Sequence, residues 1–256
     1  FIEHEDLEEA RDKVKFGRAK KSRVREKDEN KLVAYHEAGH AVLQALLKDA
    51  DPLHKVTIIP RGASGGATFS LPEKDRMGYS LKWLKATMRV ICGGRIAESK
   101  AMDDISSGAS SDIQQVTRLA RAMILEWGMS PRLGFVNYHG QDSAEGYIPD
   151  KDYSDETAKI IDEETKRIVD ESYAHAESMI DDNWEKVEAV AQALLKYENM
   201  TAEEVHSIMR GEPIGRSTVA ELLAAETPAP SSNGKGSGPK KSESTDTPPD
   251  TLPSPA

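Results

Sequence analysis

Apolar residues recur three and four positions apart through most of the chain, the period of a helix with one buried face. Leu32, Val33, Leu43 and Leu47 mark a first buried helix, entered near Asp28 as its N-cap. Leu81, Leu84, Met88, Ile91 and Ile96 mark a second over residues 79–98. A third opens at Asp112, with Ile113, Val116, Leu119, Ala120 and Met123 on one side, and residues 154–182, 184–197 and 201–210 continue the helical pattern. Between the first two helices the period falls to that of a strand. Lys55-Val-Thr-Ile-Ile59, closed by Pro60, and Gly65-Gly-Ala-Thr-Phe-Ser-Leu71 predict a small hairpin or sheet edge. Residues 3–16, with Leu7, Ala10 and Val14, predict a short amphipathic helix, and the basic stretch Arg18 to Lys27 a linker. Asp104 to Ser111 reads as a polar loop. From about residue 226 the composition turns to Pro, Ser, Gly, Thr and Lys, which predicts a disordered tail. The pattern describes a mainly α domain with a small β element and a flexible C-terminal tail.

The first helix carries His36-Glu37-Ala38-Gly39-His40 in an apolar setting. Histidines four apart on a helix point the same way, because 3.6 residues complete a turn. Two such imidazoles can share one zinc ion at roughly 2.0–2.1 Å each. The carboxylate between them can take a proton from water beside the metal. Burying two histidines and a glutamate without partners is costly, and a metal supplies the partner. Gly39 costs about 1 kcal/mol relative to Ala in a helix, so it implies a close approach by another backbone or a substrate. The segment therefore reads as a zinc peptidase site with His36 and His40 as ligands and Glu37 as general base.

Such a site needs a third protein ligand and an open fourth position. A metzincin would carry Gly and His where this chain has Leu43 and Leu46, which excludes that class. The remaining histidines, His4, His54, His139, His175 and His206, are scattered singly. Two acids are candidates. Asp112 follows the loop Ser106 to Ser111 at a helix start, where an acid also complements the helix macrodipole. Glu98, in Gly93-Gly-Arg-Ile-Ala-Glu98, lies on a helix. Spacing alone leaves the choice open. The strand Gly66, Ala67, Thr68 and Phe69 offers an edge that can hold an extended peptide by main-chain hydrogen bonds.

The 256 residues suffice for one substantial domain or two small ones, and 38% hydrophobic with 30% charged content suits a solvated helical protein. A net charge of −10 argues against non-specific nucleic-acid binding. Cys92 is the only cysteine, so no intrachain disulfide forms; a reducing compartment and inert burial are expected. No run of about eighteen apolar residues is present. The chain opens on Phe1, as an excised soluble fragment would.

Several ordered blocks carry a resemblance. They are Tyr35-His-Glu-Ala-Gly-His-Ala41, Asp51-Pro-Leu-His-Lys-Val-Thr-Ile-Ile-Pro-Arg-Gly62 and Gly93-Gly-Arg-Ile-Ala-Glu98, then Ser107-Gly-Ala-Ser-Ser-Asp112, Trp127-Gly-Met-Ser130 and Ser154-Asp-Glu-Thr-Ala158. Together, over roughly residues 1–210, they resemble the peptidase region of FtsH-type membrane-anchored AAA proteases, the M41 metallopeptidases. Ser111 stands where that family usually has Asn, Ser99 replaces a common second Glu, and the stretch from Glu98 to Ser106 is shorter than usual.

The resemblance implies one zinc per chain held by His36, His40 and Asp112, with Glu37 as base, and it favours Asp112 over its rival Glu98. It implies that Gly66 to Phe69 is the substrate-binding edge. It divides the chain into residues 1–22, the end of an ATPase lid helix and a linker; 23–212, the peptidase domain; and 213–256, the tail. The parent is expected to be a homohexamer at the cytoplasmic face of the inner or plasma membrane. Its AAA ATPase module, absent from this chain, would use ATP to unfold substrates and feed them to the peptidase, which would processively degrade unfolded and membrane proteins; no nucleic-acid partner is expected. A catalytically weak, zinc-stabilised hexamerisation module is the alternative, and a zinc hydrolase of small molecules a third reading. The carboxylate of Glu37 argues against the first and the edge strand against the second.

Overall fold

The computed structural model describes residues 25–60, 65–72, 76–138 and 153–218, with Leu7, Ala10, Arg11, Lys13, Val14 and Glu221 besides. Its elements follow in the order α1 (Lys27–Leu46), β1 (Leu53–Thr57), β2 (Ala67–Ser70), α2 (Leu81–Met102), a 3-10 turn (Ser107–Ala109), α3 (Ser110–Leu125), α4 (Asp155–Asp182), α5 (Trp184–Tyr197), β3 (Asn199–Thr201) and α6 (Ala202–Met209). The mainly α architecture matches the periodicity. Leu7, Ala10, Arg11, Lys13 and Val14 are helical, in keeping with the helix expected over 3–16. The rest of that stretch, most of the basic linker and the tail from residue 226 lie outside the described residues.

Helix α1 runs through the middle of the molecule, with Ala34, Ala38, Ala41, Val42 and Leu43 fully buried. It packs chiefly on α2 and α5. The crossing with α2 is made by glycines. A Cβ on Gly39 would collide with the carbonyl of Gly93, and one on Gly93 would stand 2.7 Å from the carbonyl oxygen of Gly39. The two backbones therefore touch, which accounts for a glycine inside a helix that otherwise disfavours it. On the other flank Tyr35 stacks on Trp184 of α5, ring centroids 5.9 Å apart. The N-cap expected at Asp28 is corrected. Glu26 has the extended cap conformation, and Asp28 and Glu29 sit in the first turn, where their charges complement the macrodipole.

The strands form one antiparallel sheet in the order β2-β1-β3. Val56 faces Thr68 on one side and Met200 on the other. The hairpin was legible; β3 was not, because three residues hold too little alternation to register as a strand. Its position is fixed by the end of α5. Glu198 takes the left-handed conformation (φ 59°), turns the chain, and its carbonyl accepts from the Ile58 amide at 2.8 Å. Among the described residues β2 pairs on one side only, so its outer edge is open.

Helix α2 starts at Ser80, whose hydroxyl accepts from the Trp83 amide, and ends at Asp103 in the left-handed region. Helix α4 buries Glu164, which accepts from the Ser130 hydroxyl at 2.7 Å and from both Arg167 Nε and Nη2. The Arg167 guanidinium holds the Glu164 carboxyl down at about 2. Among the described residues no helix is long and apolar enough to cross a membrane.

Candidate metal centre

His36 and His40 lie one turn apart on α1, on the side that faces α2. The room for both rings comes from Gly94 of α2. A Cβ there would stand 2.7 Å from His36 Cε1 and 2.5 Å from His40 Nε2. The third side of the site is the start of α3. The helix begins at Ser110 rather than at Asp112, so Asp112 lies in the first turn and its carboxylate reaches across to both rings.

Three donor atoms converge. His36 Nε2 lies 3.0 Å from His40 Nε2 and 3.2 Å from Asp112 Oδ2, and His40 Nε2 lies 3.6 Å from the same oxygen. Donors bonded to a tetrahedral zinc at about 2.0–2.2 Å stand about 3.3–3.6 Å from one another. The observed separations bracket that edge length. Among the described residues, these three form the group whose ligand atoms lie close enough to share one ion.

The opposite ring nitrogens fix the proton positions. His40 Nδ1 lies 2.7 Å from the Val90 carbonyl, which can only accept, so Nδ1 carries the hydrogen. His36 Nδ1 lies 2.7 Å from Glu98 Oε1, a carboxylate that likewise accepts. With both rings neutral, as metal ligands are, the Nε2 atoms present lone pairs toward each other and toward Asp112 Oδ2, which is buried without a hydrogen-bond partner. Three facing lone pairs call for a cation, so the residues fit a metal. The same acids draw positive charge to the site, and without a metal a proton on His36 supplies it. Burial opposes charging His36, but Asp112 and Glu98 beside it outweigh that and raise its pKa to about 10. Burial likewise opposes ionisation of Asp112, and the two histidines overcome it, holding the carboxyl well below its usual range.

Glu98 is placed away from this convergence point. It is buried on α2, bonded to the far nitrogen of His36, and its second oxygen accepts from the Ser106 hydroxyl at 3.1 Å. Arg95 donates to the Ser106 carbonyl at 2.5 Å. The short stretch between α2 and the 3-10 turn is thus tied back onto α2, and this seats the loop that leads to Asp112.

Glu37 is buried, and its side chain meets the sheet. Thr68 Oγ1 of β2 donates to Glu37 Oε2 at 2.7 Å. A Cβ on Gly66 would lie 2.8 Å from Glu37 Oε1, so only glycine lets the chain pass there. Burial raises the Glu37 pKa, opposed by His40, His36 and the Thr68 hydroxyl. A cleft of about 770 Å³ joins these groups, lined among others by His36, Glu37, His40, Gly66, Thr68 and Asp112. Trp83, Thr87 and Val90 of α2 line the same cleft.

The structure thus brings together His36, Glu37, His40 and Asp112 and sets Gly66, Ala67 and Thr68 on their rim. Phe69 is buried and does not line the cleft. His54, His175 and His206 do not join the cluster, and His4 and His139 lie outside the described residues. Cys92 is buried and its thiol is pushed up to about 12, an inert group as expected. The roles of Gly94, the Val90 carbonyl and Ser106 were missed. Only the paired glycines of α2 gave a signal, since two in one helix are unfavourable unless something must approach closely.

The sequence matches the profile of peptidase family M41 over residues 23–208. It is 45% identical over 214 residues to the ATP-dependent zinc metalloprotease FtsH 2 of Methylacidiphilum infernorum, covering 82% of this chain and 33% of that protein. It is 44% identical over 211 residues to the ATP-dependent zinc metalloprotease FtsH of Leptotrichia buccalis, covering 82% and 27%. The FtsH of Chlamydia trachomatis is 44% identical over 208 residues, covering 80% and 23%. The chain therefore spans between about a quarter and a third of the length of these relatives.

Proposed function

The chain belongs to peptidase family M41, and on that premise we propose that it is the zinc-dependent endopeptidase domain of a membrane-anchored, ATP-dependent protease. The observation that carries this reading is the convergence of His36 Nε2, His40 Nε2 and Asp112 Oδ2, the last buried and without a hydrogen-bond partner. These three residues would hold one zinc ion per chain. Bound zinc supplies Lewis acidity, which makes water a stronger acid and polarises a carbonyl.

The chain's own residues do the rest. Glu98 and the Val90 carbonyl keep the Nδ1 hydrogens of His36 and His40 in place, so that both Nε2 lone pairs face the site. Glu37 takes a proton from water and returns it to the leaving amine, a role suited to a carboxylate whose burial raises its pKa. The open edge of β2, from Gly66 to Phe69, holds the substrate extended by main-chain hydrogen bonds, which are indifferent to sequence.

In this reading residues 23–212 are the peptidase domain, 1–22 the end of an ATPase lid helix with its linker, and 213–256 a flexible tail. The parent assembles as a homohexamer at the cytoplasmic face of a membrane, and its ATPase module spends ATP to deliver unfolded and membrane proteins. A zinc that served assembly alone would have no use for the buried Glu37 carboxylate beside it. The deciding experiment is zinc content and cleavage of an unfolded protein by wild type and Glu37→Gln. Near-stoichiometric zinc in both, with cleavage in wild type alone, is the expected result; turnover retained by Glu37→Gln would sink the assignment.

A further inference from the structure

We infer that Thr68 positions the carboxylate of Glu37 for proton transfer, so that the strand offering its edge to the substrate also sets the base. The inference rests on the reading of Glu37 as base. Its first support is distance. Thr68 Oγ1 lies 2.7 Å from Glu37 Oε2 and 3.2 Å from the Glu37 carbonyl. A hydroxyl has one proton, and the shorter contact, to a carboxylate, takes it.

The second support is the asymmetry of the two carboxylate oxygens. Oε2 is committed to the Thr68 hydroxyl. Oε1 lies against Gly66, where the missing Cβ leaves room that any other residue would fill. Thr68 of β2 and Gly66 just before it therefore act on one side chain, one by donating a hydrogen bond and one by staying out of the way. Glutamate has three rotatable side-chain bonds, and a buried one that must meet a water molecule needs its carboxylate held in one orientation.

The third support is the protonation balance. When Oε1 accepts the water proton, Oε2 becomes the carbonyl oxygen of the acid and still accepts from Thr68. The Thr68 hydroxyl keeps its own proton throughout, so the hydrogen bond survives both halves of the transfer. Successive side chains of a strand point to opposite faces, so Thr68 can turn to α1 while Phe69 is buried on the other side. The main-chain edge of β2 remains available to a peptide.

The test compares wild type, Thr68→Val and Thr68→Ser in the full zinc-loaded chain, with an unstructured quenched-fluorescent peptide as substrate. Valine keeps the shape and strand preference of threonine and removes the donor; serine keeps the donor. Thr68→Val should lower kcat by about 10- to 100-fold, with KM within about twofold and zinc per chain unchanged. Thr68→Ser should stay within about threefold of wild type. A normal kcat in Thr68→Val, or a rise in KM alone, would overturn the inference, as would an equal loss in both variants or loss of zinc from Thr68→Val. Glu37→Gln, run alongside, tests the base separately: if it turns over, the proposed function fails at Glu37 itself, whatever Thr68 does.

Discussion

His36 Nδ1 lies 2.7 Å from Glu98 Oε1, on the ring edge opposite the nitrogen that faces His40 and Asp112. The two acids that sequence reasoning set against each other thus contact opposite nitrogens of one histidine. Asp112→Ala should take zinc from near one per chain to well below it. Glu98→Gln should retain zinc but bind it about 10- to 100-fold more weakly, the usual cost of losing an orienting partner. Competition against a chromogenic chelator measures both. If Glu98→Gln alone strips the metal, the ligand set proposed above is wrong.

The glycines where α1 crosses α2 make different demands. Gly94→Ala would place a methyl 2.5 Å from His40 Nε2, so it should abolish zinc binding while leaving the helical content near wild type. Gly39→Ala would drive a methyl into the Gly93 backbone, which cannot move aside as a side chain can. It should destabilise the chain by about 1–3 kcal/mol, the range for overpacking. Urea midpoints and zinc content separate the two effects.

Removing the metal leaves His36, His40 and Asp112 without the cation that would tie the three together. Treatment with a chelator should therefore lower Tm by several degrees, and zinc should restore it. Acid should act in the same direction, because protonated histidine and carboxylic acid are not ligands. A Tm indifferent to chelator would argue against a bound metal.

Glu164 provides a pH test away from the site. Its carboxyl is held at about 2, below an ordinary value of 4.5, by Arg167, Ser130 and Arg132. A depressed carboxyl stabilises the fold above its unfolded pKa, and the contribution fades as pH falls from about 4.5 towards 2. Arg167 is partly exposed, so screening reduces the contribution. Glu164→Gln should therefore lower stability at pH 7 by about 2 kcal/mol and by much less near pH 2. Denaturant titrations at the two pH values give the comparison.

Two kinds of information were legible in the sequence, and both are local. Helical periodicity placed α1, α2, α4 and α5 to within a few residues, because apolar residues recur at helical spacing through each. The strand pattern found β1 and β2 but not β3, whose three residues acquire their conformation only by pairing with β1. The spacing of His36 and His40 placed the two rings side by side because four residues of helix suffice to align two side chains.

What α1 could not determine is what faces it. The choice between Asp112 and Glu98 depends on how α2 and α3 are disposed around α1, and spacing along the chain carries no record of that. The same holds for Gly94, whose value lies in the two imidazoles it admits, and for Thr68, whose hydroxyl meets Glu37 only because the hairpin folds over α1. The sequence by itself determined the elements and the chemistry of one helix turn, since these follow from periodicity and residue type. Tertiary packing alone decided which carboxylate completes the cluster and which orients it, because that choice is made by side chains brought together from distant parts of the chain.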